Sequence, residues 1–188
     1  MKTFVIVAIS LIVMARAQGE GAGSGDAVAL VRAMATDVKL QHASMEALAL
    51  ATREGYYTAA QMECFQKLPA SAFTAGLAQI LDGALTTQEI AEALAFYRST
   101  EGIKYVDYLF AALNKESGAT FKVKPEGSDP MTADEMRTIL RFAKTEVGKK
   151  LEDDTLLMAS AESVALTRRV VGGQITACGA KIPGSDSH

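Results

Sequence analysis

The sequence predicts an all-α protein, a single-domain bundle of about six to eight helices in which one helical hairpin is duplicated. Three observations carry that prediction. From Asp26 to Cys178 the apolar residues recur at spacings of three, four and seven, which is the stripe of a helix face. The segments Thr58-x-x-Gln61, Thr86-x-x-Glu89 and Thr132-x-x-Glu135 fit the capping box, in which paired side chains satisfy the free N–H groups at a helix start. The composition is 49% hydrophobic but only 6% aromatic, with much alanine, and suits close helix packing.

The first 17 residues read as a signal peptide. Lys2 gives the positive start, Phe4 to Met14 form an apolar run broken only by Ser10, and Ala15-Arg16-Ala17 is a small-x-small cleavage site. A membrane-spanning helix needs about 20 apolar residues, so no transmembrane segment is expected after cleavage. Removal of Lys2 and Arg16 leaves 17 basic residues against 22 acids, and the net charge moves from -3 to -5. That balance argues against a nucleic-acid partner, which needs a basic face to displace counterions. The predicted location is periplasmic or secreted.

Residues 18–25 carry glycine at every second position from Gly19 and read as a flexible leader. A helix is predicted from Asp26, as N-cap, to Arg53, with Gly55 as the stop; its stripe is Val31, Met34, Val38, Met45 and Leu48. Shorter helices follow over Thr58 to Leu68, ended by Pro69, and over Ser71 to Leu81. Then comes the clearest pattern: Leu85 to Ile90 opens a helix ending near Arg98, and Ser99-Thr100-Glu101-Gly102 starts another through Leu113.

That hairpin recurs 46 residues later. Seven positions are identical: Thr86/Thr132, Glu89/Glu135, Leu94/Leu140, Phe96/Phe142, Gly102/Gly148, Lys104/Lys150 and Asp107/Asp153. Two copies are too few for a solenoid, so they predict a duplicated element inside one bundle, with superposable hairpins and both Phe96 and Phe142 buried. Lys115 to Pro130 reads as the connecting loop. The last helix is predicted from Asp154 to Cys178, with Gly172-Gly173 as a kink or a close contact, and residues 180–188 as a flexible tail.

Leu85-Thr86-Thr87-Gln88-Glu89, followed by Phe96-Tyr97-Arg98-Ser99-Thr100-Glu101-Gly102-Ile103-Lys104-Tyr105, resembles the bacterial exported family called domain of unknown function 2059. The resemblance spans about 25 residues and is weaker in the second copy, where Ala143 stands in place of Tyr97. It implies an all-helical domain exported to the periplasm of Gram-negative bacteria, and it implies no activity.

Few residues suggest chemistry. Cys64 and Cys178 are the only cysteines, and an even count in an exported chain predicts a disulfide; a redox pair would want C-x-x-C, which is absent. His42 lies near Met45 and one turn before Glu46, which fits a helical ion pair better than a metal site. Glu89 and Glu135 invite a paired-carboxylate mechanism, but their capping positions already account for them. Glu152-Asp153-Asp154 lacks the calcium-loop pattern. Tyr97, Tyr105 and Tyr108 are candidate aromatics for a groove. The function expected is therefore non-enzymatic, with no cofactor and no metal: a binding or assembly-supporting module for a protein partner in the cell envelope. The alternatives are a carrier of an apolar small molecule or lipid in an interhelical cavity, and an enzyme of unknown class.

Overall fold

The computed structural model describes residues 24–117, 130–152 and 155–182. The predicted signal peptide, most of the leader, most of the loop between the hairpins, Asp153, Asp154 and the tail from Pro183 lie outside the described residues. Those described form nine α-helices and one π-turn, with no strand: α1 (Gly25–Met34), α2 (Thr36–Arg53), α3 (Ala59–Phe65), α4 (Ser71–Ala84), α5 (Thr87–Tyr97), α6 (Thr100–Ser117), α7 (Ala133–Ala143), α8 (Glu146–Glu152), the π-turn Thr155–Ala159, and α9 (Ala161–Ala177). The fold is an all-α bundle.

Helix α4 is the hub, packing against α1, α2, α5, α9 and the π-turn. Its apolar face, Phe73, Leu77, Ala78 and Leu81, is fully buried. At the α4–α9 crossing Gly76 meets Leu166; a Cβ on Gly76 would stand 2.8 Å from Leu166 Cδ2, so a larger residue there would require the Leu166 side chain to shift. A smaller cluster of Leu48, Tyr57, Phe65 and Ile175 joins α2, α3 and α9. There the Tyr57 and Phe65 rings meet edge to face at 5.1 Å.

The predicted first helix is two helices. Ala35 adopts the left-handed conformation, with φ 51°, and breaks the chain between α1 and α2. This conformation costs a non-glycine residue about 1–2 kcal/mol, and tertiary contacts offset it. Asp37, buried just after the break, accepts a hydrogen bond from Thr74 Oγ1 at 2.7 Å and ties the start of α2 to α4. No glycine or proline marks the site.

Other boundaries also differ from the sequence expectation. Ser24, rather than Asp26, caps α1, and its N–H and hydroxyl both donate to the Asp82 carboxylate on α4, at 2.6 and 2.7 Å. The end of the predicted leader is therefore anchored. Lys115 to Ser117 continue α6 rather than starting the loop. The final helix starts at Ala161 with Ser160 as its cap, after the π-turn. The buried Ser163 hydroxyl donates to the Leu157 carbonyl at 2.6 Å and takes up a backbone acceptor of that turn. Helix α9 runs unbroken through Gly172-Gly173. Beyond it, Gly179 has φ 67° and Ala180 N–H donates to the Ile175 carbonyl at 3.0 Å, the Schellman-type ending that glycine favours.

Candidate functional site

The duplicated hairpins meet face to face. Phe96 and Phe142 stack with ring centroids 3.9 Å apart and an interplanar angle of 6°. In each copy the threonine hydroxyl accepts the glutamate's backbone N–H at 3.2 Å, and the glutamate carboxylate accepts the threonine's backbone N–H, at 2.8 Å for Thr86 and 2.7 Å for Thr132. Both capping boxes form as the sequence predicts. The other carboxylate oxygen reaches across. Lys104 Nζ of the first copy donates to Glu135 Oε1 of the second at 2.6 Å, and Lys150 Nζ of the second to Glu89 Oε1 of the first at 2.5 Å.

The two pairs are reciprocal, as an approximate two-fold axis through the Phe96–Phe142 stack requires. Gly102 and Gly148 occupy equivalent crossings. A Cβ on Gly102 would overlap the Phe96 carbonyl oxygen and lie 2.7 Å from Tyr97 Cα; one on Gly148 would overlap the Phe142 carbonyl oxygen. Phe96 is buried, while Phe142 is half-buried, short of the burial expected, although its ring faces Phe96. The symmetry breaks at that point because α1 packs on the first hairpin and no described helix packs equivalently on the second. Leu94 is buried where its counterpart Leu140 is exposed, and Asp153 lies outside the described residues.

This geometry fixes the chemistry of the paired carboxylates. The hydrogen bond from Lys150, then that from the Thr86 backbone, holds the Glu89 carboxyl down at about 2, and Lys104 and Thr132 lower Glu135 in the same way. Both are anions near neutral pH with each oxygen already engaged by a hydrogen bond, an arrangement poorly suited to general acid or base work. The sequence offered the signal for this arrangement, since Lys104/Lys150 is among the seven identities, but not the crossing of the pairs.

Cys64 and Cys178 form a disulfide that joins the end of α3 to the end of α9, with Cα atoms 5.8 Å apart. Gln174 Nε2 donates to the Cys64 carbonyl at 3.0 Å and braces the same corner. His42 Nδ1 lies 3.8 Å from Glu46 Oε2, a contact along one face of α2. Among the described residues no three His, Cys, Asp or Glu side chains converge as metal ligands do, and no helix is long and apolar enough to cross a membrane.

The three candidate tyrosines differ in burial. Tyr97 is buried, edge-on to Phe96 and Phe142; Tyr105 packs partly against the core; Tyr108 is exposed. The reason is helical phase: Tyr97 lies on the inward face of α5, whereas Tyr105 and Tyr108 lie three residues apart on α6, turned to different degrees from the core.

An apolar groove lies between α2 and α9 and has a volume of about 450 Å³. Ala43 and Ala47 on α2 and Gly172 on α9 are too small to fill the space between the helices. Met158 of the π-turn, Val171 and Ile175 form part of its wall, and Val164 and Ile182, 46% and 44% exposed, stand at the opening. Ile182 Cδ1 comes within 3.3 Å of where a Gly172 Cβ would be, so the predicted tail lines the groove through Ile182. The Ser44 and Thr167 hydroxyls donate to the carbonyls of Leu40 and Ser163, at 2.8 and 2.9 Å. Among the described lining residues Arg168 is the one that carries a charge. The sequence hides this groove because it depends on small residues more than 120 positions apart.

Comparison of the chain with family models, with curated proteins and with solved structures finds no match.

Proposed function

We propose that the chain is an exported, non-enzymatic binding module whose α2–α9 groove receives apolar side chains of a protein partner in the cell envelope. The carrying observation is the groove's chemistry: an open apolar trough within the usual size range of binding sites, whose two hydroxyls are already committed to backbone carbonyls. Such a lining offers shape and apolar area, and no activated nucleophile or acid–base pair. Its opening to solvent favours a protein segment over an enclosed carrier cargo. The Cys64–Cys178 disulfide supports an oxidising compartment, in keeping with the apolar N-terminal run and with the resemblance to domain of unknown function 2059.

The test is site-specific photo-crosslinking in intact cells, with the crosslinker at Ala47 in the groove and, as control, at Glu92 on α5. A discrete protein adduct from Ala47 alone, lost in Ala43→Trp, is the expected result. No adduct, or the same adduct from Glu92, contradicts the proposal; a small apolar molecule recovered from Ala47 favours the carrier instead.

A further inference from the structure

Among the described residues, the duplication leaves one helix face covered in the first hairpin and largely uncovered in the second. The 46-residue offset maps Ile90 onto Met136, Ala93 onto Ile139 and Leu94 onto Leu140. In the first hairpin α1 lies across α5, and Ile90 and Leu94 are 3% and 6% exposed. In the second, the helices that pack substantially on α7 among the described elements are α6 and α8, and Met136 and Leu140 are 38% and 52% exposed. The same leucine, in the same hairpin, is core in one copy and surface in the other.

The flank of this stripe has also changed. Ala91 and Ala95 of α5 correspond to Arg137 and Arg141 of α7. At about 100° per residue Arg137, Arg141 and the C-cap Lys144 all fall on one side of the Met136–Leu140 stripe. All three are exposed. Arg137 also contacts Asp134, one turn earlier, in a surface pair of small energetic weight.

We propose that α7 is a docking face for an amphipathic helix of a partner protein. The helix seats its apolar stripe on Met136 and Leu140, as α1 does on Ile90 and Leu94, and carries acidic residues along the flank that meets Arg137, Arg141 and Lys144. The internal two-fold specifies a helix as the occupant, and the cationic flank specifies its charge. An antiparallel second copy of α7 would bring the same three cations against these three, so like-charge repulsion opposes that mode of self-pairing through this face. An 11-residue helix, about 16 Å long, with two large exposed apolar side chains gives a lipid surface little to hold. This face is separate from the α2–α9 groove and does not depend on it.

The experiment uses the full chain and two helix-stapled peptides with the apolar spacing of Ala27, Leu30, Val31 and Met34. One has glutamates along the flank and the other lysines, and binding is read by fluorescence anisotropy. The glutamate peptide is expected to bind saturably, and the lysine peptide at least about tenfold more weakly. Leu140→Glu lowers affinity for the glutamate peptide by about 10- to 100-fold, the equivalent of losing one buried leucine. Arg137→Glu with Arg141→Glu reverses the preference between the peptides. Far-UV circular dichroism confirms that these surface variants fold.

Equal binding of the two peptides, no saturation, or indifference to Leu140→Glu overturns the proposal. Self-association that Leu140→Glu abolishes overturns it in favour of a second copy. Binding to phosphatidylglycerol vesicles that Leu140→Glu abolishes, with no peptide binding, overturns it in favour of a membrane surface.

Discussion

Gly102→Ala should destabilise the protein, although alanine is the better helix former. Alanine in place of glycine within a helix is ordinarily worth up to about 1 kcal/mol in its favour. At Gly102 the added methyl would overlap the Phe96 carbonyl oxygen and stand 2.7 Å from Tyr97 Cα. That carbonyl cannot swing aside freely, because it accepts the Ser99 N–H at 2.9 Å in the turn between α5 and α6. The crossing must open instead, which disturbs the Phe96–Phe142 stack and the Lys104–Glu135 pair above it. Overpacking of this kind costs about 1–3 kcal/mol or more, and contact with backbone places Gly102 at the upper end. The net expectation is a loss of about 2 kcal/mol, or about 4–8 °C in Tm for a chain of this size.

Gly173 supplies the matched control. It lies in α9 with nothing within 4 Å of its virtual Cβ, so Gly173→Ala should raise stability by about 0.5–1 kcal/mol. Thermal and urea denaturation of the two variants, measured together, gives the answer. If Gly102→Ala is neutral or stabilising, the close crossing is not a stability determinant and the structural basis assigned to the duplicated glycine fails.

Two further outcomes follow from the disulfide and from the paired carboxylates. Replacing Cys64 and Cys178 together with serine opens a loop of sequence separation 114 and should lower stability by about 4–5 kcal/mol on the chain-entropy account, read as a fall in the urea midpoint that reductant reproduces in the wild type. Because the folded Glu89 carboxyl lies at about 2 rather than its ordinary 4.5, its contribution is full above pH 4.5 and is lost as pH falls toward 2. Urea midpoints measured across that window should fall with decreasing pH in the wild type, and less steeply in Glu89→Gln. Equal slopes would mean that the Lys150–Glu89 pair does not favour the folded state.

The sequence displays what is local. Capping boxes at Thr58, Thr86 and Thr132 are written three residues apart, and all three form. Cysteine parity anticipates the disulfide, and the repeat is visible as seven identities at a fixed offset. What escapes the sequence is set between elements. Ala35 bends the chain without a glycine because Asp37 and Thr74, 37 residues apart, fix the helix beyond it. The crossing of Lys104 to Glu135 and Lys150 to Glu89 needs the relative placement of two hairpins, which no local pattern encodes. Tyr97 and Tyr108 look alike in sequence and differ by burial, because helix phase against the core decides exposure. The groove is still less visible, since it consists of the absence of large side chains at Ala43, Ala47 and Gly172.

The central claim is that an envelope partner occupies the α2–α9 groove, and methionine methyl NMR tests it most directly. Met158 lines that groove, whereas Met34 is 5% exposed in the core. With the protein ¹³C-labelled at methionine methyls and titrated with the partner captured from Ala47, the Met158 resonance should shift or broaden to saturation while Met34 stays in place. An unmoved Met158 in the presence of bound partner would contradict the claim.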